Sequence, residues 1–528
     1  MRSFVMNPDS GSTLSVWMDS PAPANERNPL AEDLHTEVCI VGAGIAGLSV
    51  AYQLTKAGKQ VVVLDDGPIG GGETCRTTAH LSNAIDDRYF HLLTVHGEEN
   101  TRLAADSHTR AIDEIERTVR LENIDCDFER LDGFLFDPPN GARPNKANDQ
   151  LNEELNACHR AGLTQVKMVG NAPIENFNTG PALRFPAQGQ FHILKYLHGL
   201  ANAIEAKGGR IFTETHVASI QGGSPAIIKT SNGFQINAGA VVVATNVPVN
   251  DRVEVHTKQM PYRSYVIGAR IPKGSVTRAL YWDTADPYHY VRLQSIDGDD
   301  AEEILIIGGE DHKTGQANDG DSRFDRLEHW ARERWPQITS VDYRWSGQVI
   351  ETQDGLTFIG RNPLDNDNVF IATGDSGMGM THGTIAGMLI SDLILGRTNP
   401  WEKLYDPRRI RVLAADEFVK ENLNTFAQYK AYFTPADVQA IKMIAPGEGA
   451  LIRRGLSKVA VYKEASGAVT ECSAVCPHLG AIVQWNSLEK TWDCPAHGSR
   501  FDCFGKVVNG PANGGLTRLD EVEEKRTA

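Results

Sequence analysis

The 528-residue chain has no stretch of about 18 uninterrupted apolar residues, the length that a membrane-spanning helix needs. It has no run of Lys and Arg, no internal repeat and no low-complexity tract. A transmembrane segment, a basic nucleic-acid tail and a repeat solenoid are therefore not expected. Residues 1–34 lack an apolar core and a twin arginine, and Pro21, Pro23 and Pro29 interrupt them. They read as an irregular arm rather than a secretory signal. Positive charge is in deficit: 52 Lys+Arg against 68 Asp+Glu leaves a formal net charge of −16. Such a surface repels nucleic acid and anionic lipid, so neither is an expected partner. Cysteine is sparse, eight in all, and without a leader a disulfide framework is not expected. A reducing, cytoplasmic location is the expectation.

The remaining composition, 41% hydrophobic and 23% charged, is that of an ordinary globular protein. The length suggests about three to four domain-sized units. Residues 37–41 and 60–64 are short apolar runs separated by a glycine turn and a helical pattern. That order is a βαβ unit. Residues 192–208 read as an amphipathic helix, and residues 241–245 and 369–372 as buried strands. Residues 258–340 alternate in short runs that suggest an antiparallel sheet. Residues 414–443 read as a polar helix. After Pro446-Gly447 the texture changes to short strands and turns.

Gly42-Ala43-Gly44-Ile45-Ala46-Gly47 fits the G-x-G-x-x-G fingerprint between the two first strands. Gly42 makes the tight turn, Gly44 admits a pyrophosphate, and Gly47 lets helix and strand approach. Asp65 ends the second strand 18 residues after Gly47, where a carboxylate takes ribose hydroxyls. Gly70, Gly71, Gly72 and Thr74 add backbone donors for phosphate. A nicotinamide-using flavoenzyme needs a second fingerprint, and none is found. Late in the chain, residues 371–374 end a strand and Ser376-Gly377-Met378-Gly379-Met380-Thr381 opens a helix. That N-terminus suits the flavin N1/C2=O edge.

These residues together resemble the FAD-dependent amine and amino-acid oxidoreductases of the D-amino-acid oxidase and glycine oxidase type, over about residues 37–396. Trp345-Ser346-Gly347, Thr352-Gln353-Asp354-Gly355 and the run from Gly374 through Gly377, Met378, Gly379 and Met380 match the family's late signature. The resemblance places Val217 at an adenine-contacting position and Thr245 at the end of the following strand. It implies FAD, bound by parts at about 35–90, 192–250 and 341–400. It also implies a substrate domain from parts at about 91–191 and 251–340, with its sheet over the flavin.

The C-terminal segment carries Cys476-Pro477-His478 and, after 15 intervening residues, Cys494-Pro495-Ala496-His497. Two Cys and two His on short loops suit zinc or an iron–sulfur centre. With Gly480, Gly498 and a Gly510-Pro511-Ala512 loop, the segment resembles a Rieske [2Fe–2S] domain over about residues 447–528. The resemblance implies two thiolates on one iron and two imidazoles on the other, with Ser499 donating toward cluster sulfur. Many relatives carry one further cysteine in each loop, joined as a disulfide. Ala481 and Ala496 stand there instead, and Cys472 and Cys503 read as small packing residues.

The expected architecture is thus an α/β Rossmann-like FAD-binding domain with an interleaved α+β substrate domain, a helical linker over 401–446, and a small all-β Rieske domain. Strand alternation puts Tyr288, Tyr290 and Arg292 on one face. Arg292 is the candidate clamp for a substrate carboxylate, with the rings shaping an amine pocket. His382 and His312 are further candidates for contact with flavin or substrate. Asp87, His91 and His96 are weakly spaced for mononuclear iron, and Cys75 and His80 for covalent flavin. Both groups read better as packing.

The parts predict an amine or amino-acid dehydrogenase. It moves a hydride from a C–N carbon to FAD, then single electrons through the cluster to an external carrier. That carrier is a ferredoxin-like protein or a quinone or other respiratory component. Two other readings stand beside it: a reductase fed through the Rieske cluster, and a non-enzymatic redox sensor.

Overall fold

In a computed structural model, the structure describes residues 10–19, 27–138, 147–250, 254–409, 424–425, 428–432 and 434–519. Among these, two large sheets and two small ones form the framework.

The first sheet has parallel strands Val369–Thr373, Gln235–Val243, Leu34–Val41, Val61–Leu64 and Arg210–Phe212 in that spatial order. Val61–Leu64 is buried at every position, as strands covered on both faces must be. Val41 pairs with both Leu64 and Val243, and Val243 with Ile371, so the carboxyl ends finish level. Helices Ile45–Lys56, Ile193–Ala206 and Gly379–Ile394 lie against this sheet, and the first packs on each of the other two. Gly387 makes the last approach possible. A Cβ there would lie 2.8 Å from the Ser49 carbonyl carbon.

The second sheet runs Ser340–Thr352, Gln259–Pro272, Glu302–Lys313, His289–Ser295, Leu280–Asp283, Glu129–Phe136, Ala182–Gln190 and His80–Leu81. Its pairings are antiparallel except that between Leu280–Asp283 and Glu129–Phe136. The antiparallel reading of 258–340 matches it. Ser340–Thr352, grouped above with the FAD-binding part, belongs instead to this sheet. It pairs with Gln259–Pro272 from Thr352↔Gln259 to Ser340↔Arg270.

The C-terminal region is all β. Strands Glu448–Arg454, Ser457–Lys463 and Val469–Ser473 form one sheet. Strands Gln484–Asn486, Thr491–Asp493, Arg500–Asp502 and Val507–Asn509 form the other. Leu451, Ile482, Trp492 and Phe501 fill the space between them. The helical reading of 401–446 falls in large part on residues that are not described. Residues 410–423 lie outside the described residues. The described remainder holds a helical turn, Glu402–Tyr405, further helical residues at 424, 425 and 428, and 3₁₀ turns at Tyr429–Tyr432 and Ile441–Met443.

Residues 10–19 have no helix or strand, and they are firmly packed. Trp17 is 0% exposed and its indole donates to Thr77 O at 2.6 Å. Ser15 donates to Cys75 O at 2.6 Å. The segment straps the glycine turn of the first sheet to the C-terminal region through one buried carboxylate, Glu489.

Glu489 lies in the turn between Gln484–Asn486 and Thr491–Asp493. It accepts from Thr13 Oγ1 (2.6 Å), Arg76 Nη1 (3.3 Å) and the Ser346 hydroxyl, and pairs with Arg263 at 3.6 Å. Arg500 adjoins it, donating to Ser10 O at 2.6 Å and Asp493 Oδ1 at 3.2 Å. Burial pushes the Glu489 carboxyl up, but Arg76, Arg263 and Arg500 outweigh it and hold the group at about 2. Removing one partner of a buried ion pair leaves uncompensated charge and costs about 3–5 kcal/mol.

Glu489→Ala is expected to lower stability by about 3–5 kcal/mol, read as a drop in thermal midpoint, with a smaller drop for Glu489→Gln. The folded carboxyl at about 2 sits below its ordinary 4.5. Its contribution is therefore full above pH 4.5 and lost as pH falls toward 2. A pH series of melting curves on protein and Glu489→Gln reads this, since only the parent loses the increment.

Candidate functional site

A cleft opens where the parallel strands end, lined by Val41, Leu64, Asp65, Ala244 and Thr373. Crevices at the carboxyl ends of such sheets are where α/β proteins bind nucleotides. Gly42 has φ +109°, and a Cβ there would lie 2.4 Å from Ala244 O. A Cβ on Gly47 would lie 1.9 Å from Gly42 O, and one on Gly44 2.9 Å from Thr74 Oγ1. Gly42 and Gly44 line the cleft, while Gly47 packs behind it. Asp65 Oδ2 accepts from Ala43 N at 2.5 Å and Oδ1 from Gly67 N at 2.9 Å. Thr74 Oγ1 accepts from Ile45 N at 3.3 Å. Gly71, Gly72, Val217 and Thr245 line the same cleft, as do Gly374, Gly377, Met378, Gly379 and Met380.

Two helix N-termini, at Ile45 and Gly379, therefore meet one glycine-walled cleft. Backbone donors with no side chain in front of them suit a pyrophosphate. The residues fit FAD. Cys75 is buried, with its thiol directed at the Gly71 and Gly72 carbonyls.

The substrate candidates separate. Tyr288 and Tyr290 face the cleft with His80, Trp282 and Asp86. Tyr288 OH donates to Asp86 Oδ2 at 2.8 Å, and Tyr290 OH lies 2.5 Å from Ser264 Oγ. Arg292 does not face it. The guanidinium is fully buried and donates to the carbonyls of Ala79 (3.0 Å) and Phe191 (2.9 Å) and to Gln294 Oε1 (2.6 Å). It stacks over Trp17 of the strap. The expected carboxylate clamp is a structural cation, because backbone oxygens already take its donors.

His382 lines the cleft, but both ring nitrogens are engaged. Nδ1 meets Asp375 O at 2.8 Å, so it carries the proton, and Nε2 accepts from His108 Nε2 at 3.1 Å. Burial lowers the ring to about 4. His382 thus reaches the cleft as the contact reading expects, but a neutral ring with both nitrogens engaged has no site left for proton transfer. His312 bonds Tyr265 OH at 2.9 Å, outside the cleft. His96 is bound to Asp354 O at 2.7 Å, and with Asp87 and His91 it forms no single-ion site among the described residues.

Asp86, Trp282 and Gln348 line the cleft without having been singled out. Asp86 belongs to no motif. Its approach to Tyr288 spans 202 positions of sequence, so no local signal marks it.

The two C-terminal loops are backbone copies of each other. Cys476 N donates to Ala481 O and Gly480 N to Cys476 O; Cys494 N donates to Ser499 O and Gly498 N to Cys494 O. Gly480 and Gly498 take φ +83° and +79°, which explains the glycine four residues after each loop cysteine. The copies bring Cys476 and Cys494 within hydrogen-bond reach, with the Ser499 hydroxyl on Cys476. His478 and His497 stand edge to face at 5.0 Å. His497 Nδ1 is buried with no protein partner, an arrangement that a metal bond satisfies. A thiol pair beside an imidazole pair fits a two-iron cluster with unlike ligands on each iron.

Fold and site together define a flavin-dependent oxidoreductase joined to a Rieske iron–sulfur module. The chain belongs to the FAD dependent oxidoreductase family, whose model matches residues 37–393. The Rieske [2Fe-2S] domain model matches residues 434–520. The flavin-binding region thus binds FAD, and the C-terminal domain a [2Fe–2S] cluster. The chain is 32% identical over 494 residues to a Bacillus subtilis (strain 168) protein that carries the name Rieske 2Fe-2S iron-sulfur protein YhfW. That match covers 93% of this chain and 94% of the relative. It is 30% identical to gamma-glutamylputrescine oxidoreductase of Escherichia coli (strain K12), covering 71% of this chain and 88% of that protein. The crystal structure of glycine oxidase from Geobacillus kaustophilus superposes with a TM-score of 0.59 at 19% identity. It covers 71% of this chain and 100% of that one.

The cofactor sites are separable by mutation. Gly47→Ala is expected to purify without flavin absorbance but with iron, because the added Cβ displaces the fingerprint turn. Cys494→Ser is expected to keep its flavin and lose most of its iron. Iron-to-flavin ratios from metal analysis and visible spectra check both outcomes.

Proposed function

We propose that the protein oxidises the C–N bond of a small amine or amino acid to an imine, with electrons leaving singly through the Rieske domain to an external acceptor. The observation that carries this reading is Gln348. Its side chain lines the flavin cleft, and its Nε2 donates to Gly498 O at 3.0 Å, next to the cluster ligand His497. Flavin site and cluster loop are one hydrogen bond apart. FAD held in the cleft supplies two-electron acceptance, and the cluster carries one electron at a time.

The residues around the substrate face favour an amine. Arg76 is the only Lys or Arg among the described residues that line the cleft; its Nε and Nη1 donate to Ser10, Thr13 and Ser346 O, Nη2 is buried with no protein partner, and Glu489 offsets its charge. Asp86 sits among Tyr288, Tyr290 and Trp282, where rings and a carboxylate attract an ammonium group. Burial raises the Asp86 carboxyl, while Arg88 and Tyr288 draw it back. A carboxylate poised upward is suited to take the proton that the ammonium must lose. His80 is neutral, lowered to about 3 by burial and by Arg292. The Escherichia coli relative, named for γ-glutamylputrescine, supports an amine substrate.

Anaerobic mixing with a panel of amines and amino acids is the test. One of them is expected to bleach the flavin, with a Rieske-type EPR signal growing afterwards. If none does, while a chemically reduced cluster feeds the flavin, the flow runs the other way and the protein is a reductase. Asp86→Asn is expected to lower kcat/KM for the active amine by about 10²-fold or more, with both cofactors retained.

A further inference from the structure

We propose that the Rieske domain forms one wall of the FAD site, with Asn513 and Asn509 clamping the loop 507–513 over the nucleotide cleft. Val507, Val508, Asn509, Gly510, Ala512 and Asn513 line the same cleft as Gly42, Asp65 and Val217. Most of the chain's length separates them from the fingerprint turn, and nothing in the local sequence of either domain announces the contact.

The clamp has two ends. At one, Asn513 Nδ2 donates to Val217 O (3.1 Å) and Ala218 O (2.9 Å), where strand Val217–Gln221 begins. The Asn513 carbonyl meets His216 Nε2 at 3.1 Å, and His216 Nδ1 meets Asp66 Oδ2 at 3.2 Å. Both partners of that ring are acceptors, so both nitrogens donate. The chain Asp66–His216–Asn513 thus ties the Rieske loop to the end of strand Val61–Leu64, beside Asp65. At the other end, Asn509 Nδ2 donates to Glu73 Oε1 and to Gln348 Oε1, each at 2.9 Å. Glu73 follows the phosphate-side glycines Gly70, Gly71 and Gly72. Between the ends, a Cβ on Gly510 would lie 3.3 Å from Val247 O and from Val249 Cγ1, so the loop rests directly on the segment after strand Gln235–Val243.

These contacts close the crevice at the carboxyl ends of the parallel strands. Two consequences follow. The Rieske domain is a fixed part of the flavoprotein, not a head that swings between partners. FAD binding and Rieske docking are thermodynamically linked, so each strengthens the other.

The test titrates FAD into deflavinated full-length protein and its Asn513→Ala variant, following flavin fluorescence quenching. The cluster spectrum of the same samples reports whether the Rieske fold is intact. With the cluster intact, the variant is expected to bind FAD about 10-fold or more weakly, the loss for about 1.4 kcal/mol. An unchanged Kd with an intact cluster overturns the proposal and leaves the loop as a domain contact only. If the substitution costs the cluster, the decision passes to the parent protein, by hydrogen exchange with and without FAD. Protection of residues 507–513 that rises with FAD supports the wall. Protection that ignores FAD overturns it.

Discussion

One buried carboxylate organises the assembly. Glu489 sits where the strap, the glycine turn, the second sheet and the Rieske domain meet, and it is the anion that Arg76, Arg263 and Arg500 share. Each of those cations comes from a different part of the chain. Arg76 ends the turn that follows the phosphate-side glycines. Arg263 lies on the sheet that covers the cleft, and Arg500 on the strand just past the cluster loop. Buried like charges repel strongly unless neutralised, so these parts stay together only with Glu489, Asp493 and Glu73 among them. The relative position of flavin cleft and cluster loop follows from that neutralisation.

Given that position, the cofactor sites are built by backbone more than by side chains. The dinucleotide cleft is made of glycines and helix N-termini, where charge stabilisation comes from peptide dipoles and needs no cation. The cluster site is made of two turns with the same hydrogen bonds, each presenting one thiol and one imidazole. The second sheet then brings Gln348 between them. An arginine that local alternation aims at substrate is spent on main-chain oxygens, and the face over the cleft is left to Tyr288, Tyr290, Trp282 and Asp86. The result is an acidic, aromatic face rather than a cationic one.

Much of this was legible in the residues. G-x-G-x-x-G with Asp65, the late glycine run and the paired C-x-H and C-x-x-H loops each have short-range geometry that fixes their chemistry. They therefore announce fold class and cofactors. The helical reading of 401–446 rests largely on residues outside the described ones. Residues 10–19 are irregular, but their burial is not legible in the sequence, because Pro and Gly read as irregular whether or not a segment is buried. Arg292 was misjudged because alternation gives the face of a strand but not what the neighbouring loops put opposite it.

The sequence by itself determined the βαβ fingerprint, the two cluster loops and hence both cofactors, because each is set by residues within a few positions of one another. Only the tertiary structure decided which side chains face the substrate, that His382 and Arg292 are occupied, and that residues 507–513 roof the nucleotide cleft. Those outcomes depend on contacts between residues tens to hundreds of positions apart. Burial and hydrogen-bond satisfaction choose among them only once the whole chain has folded.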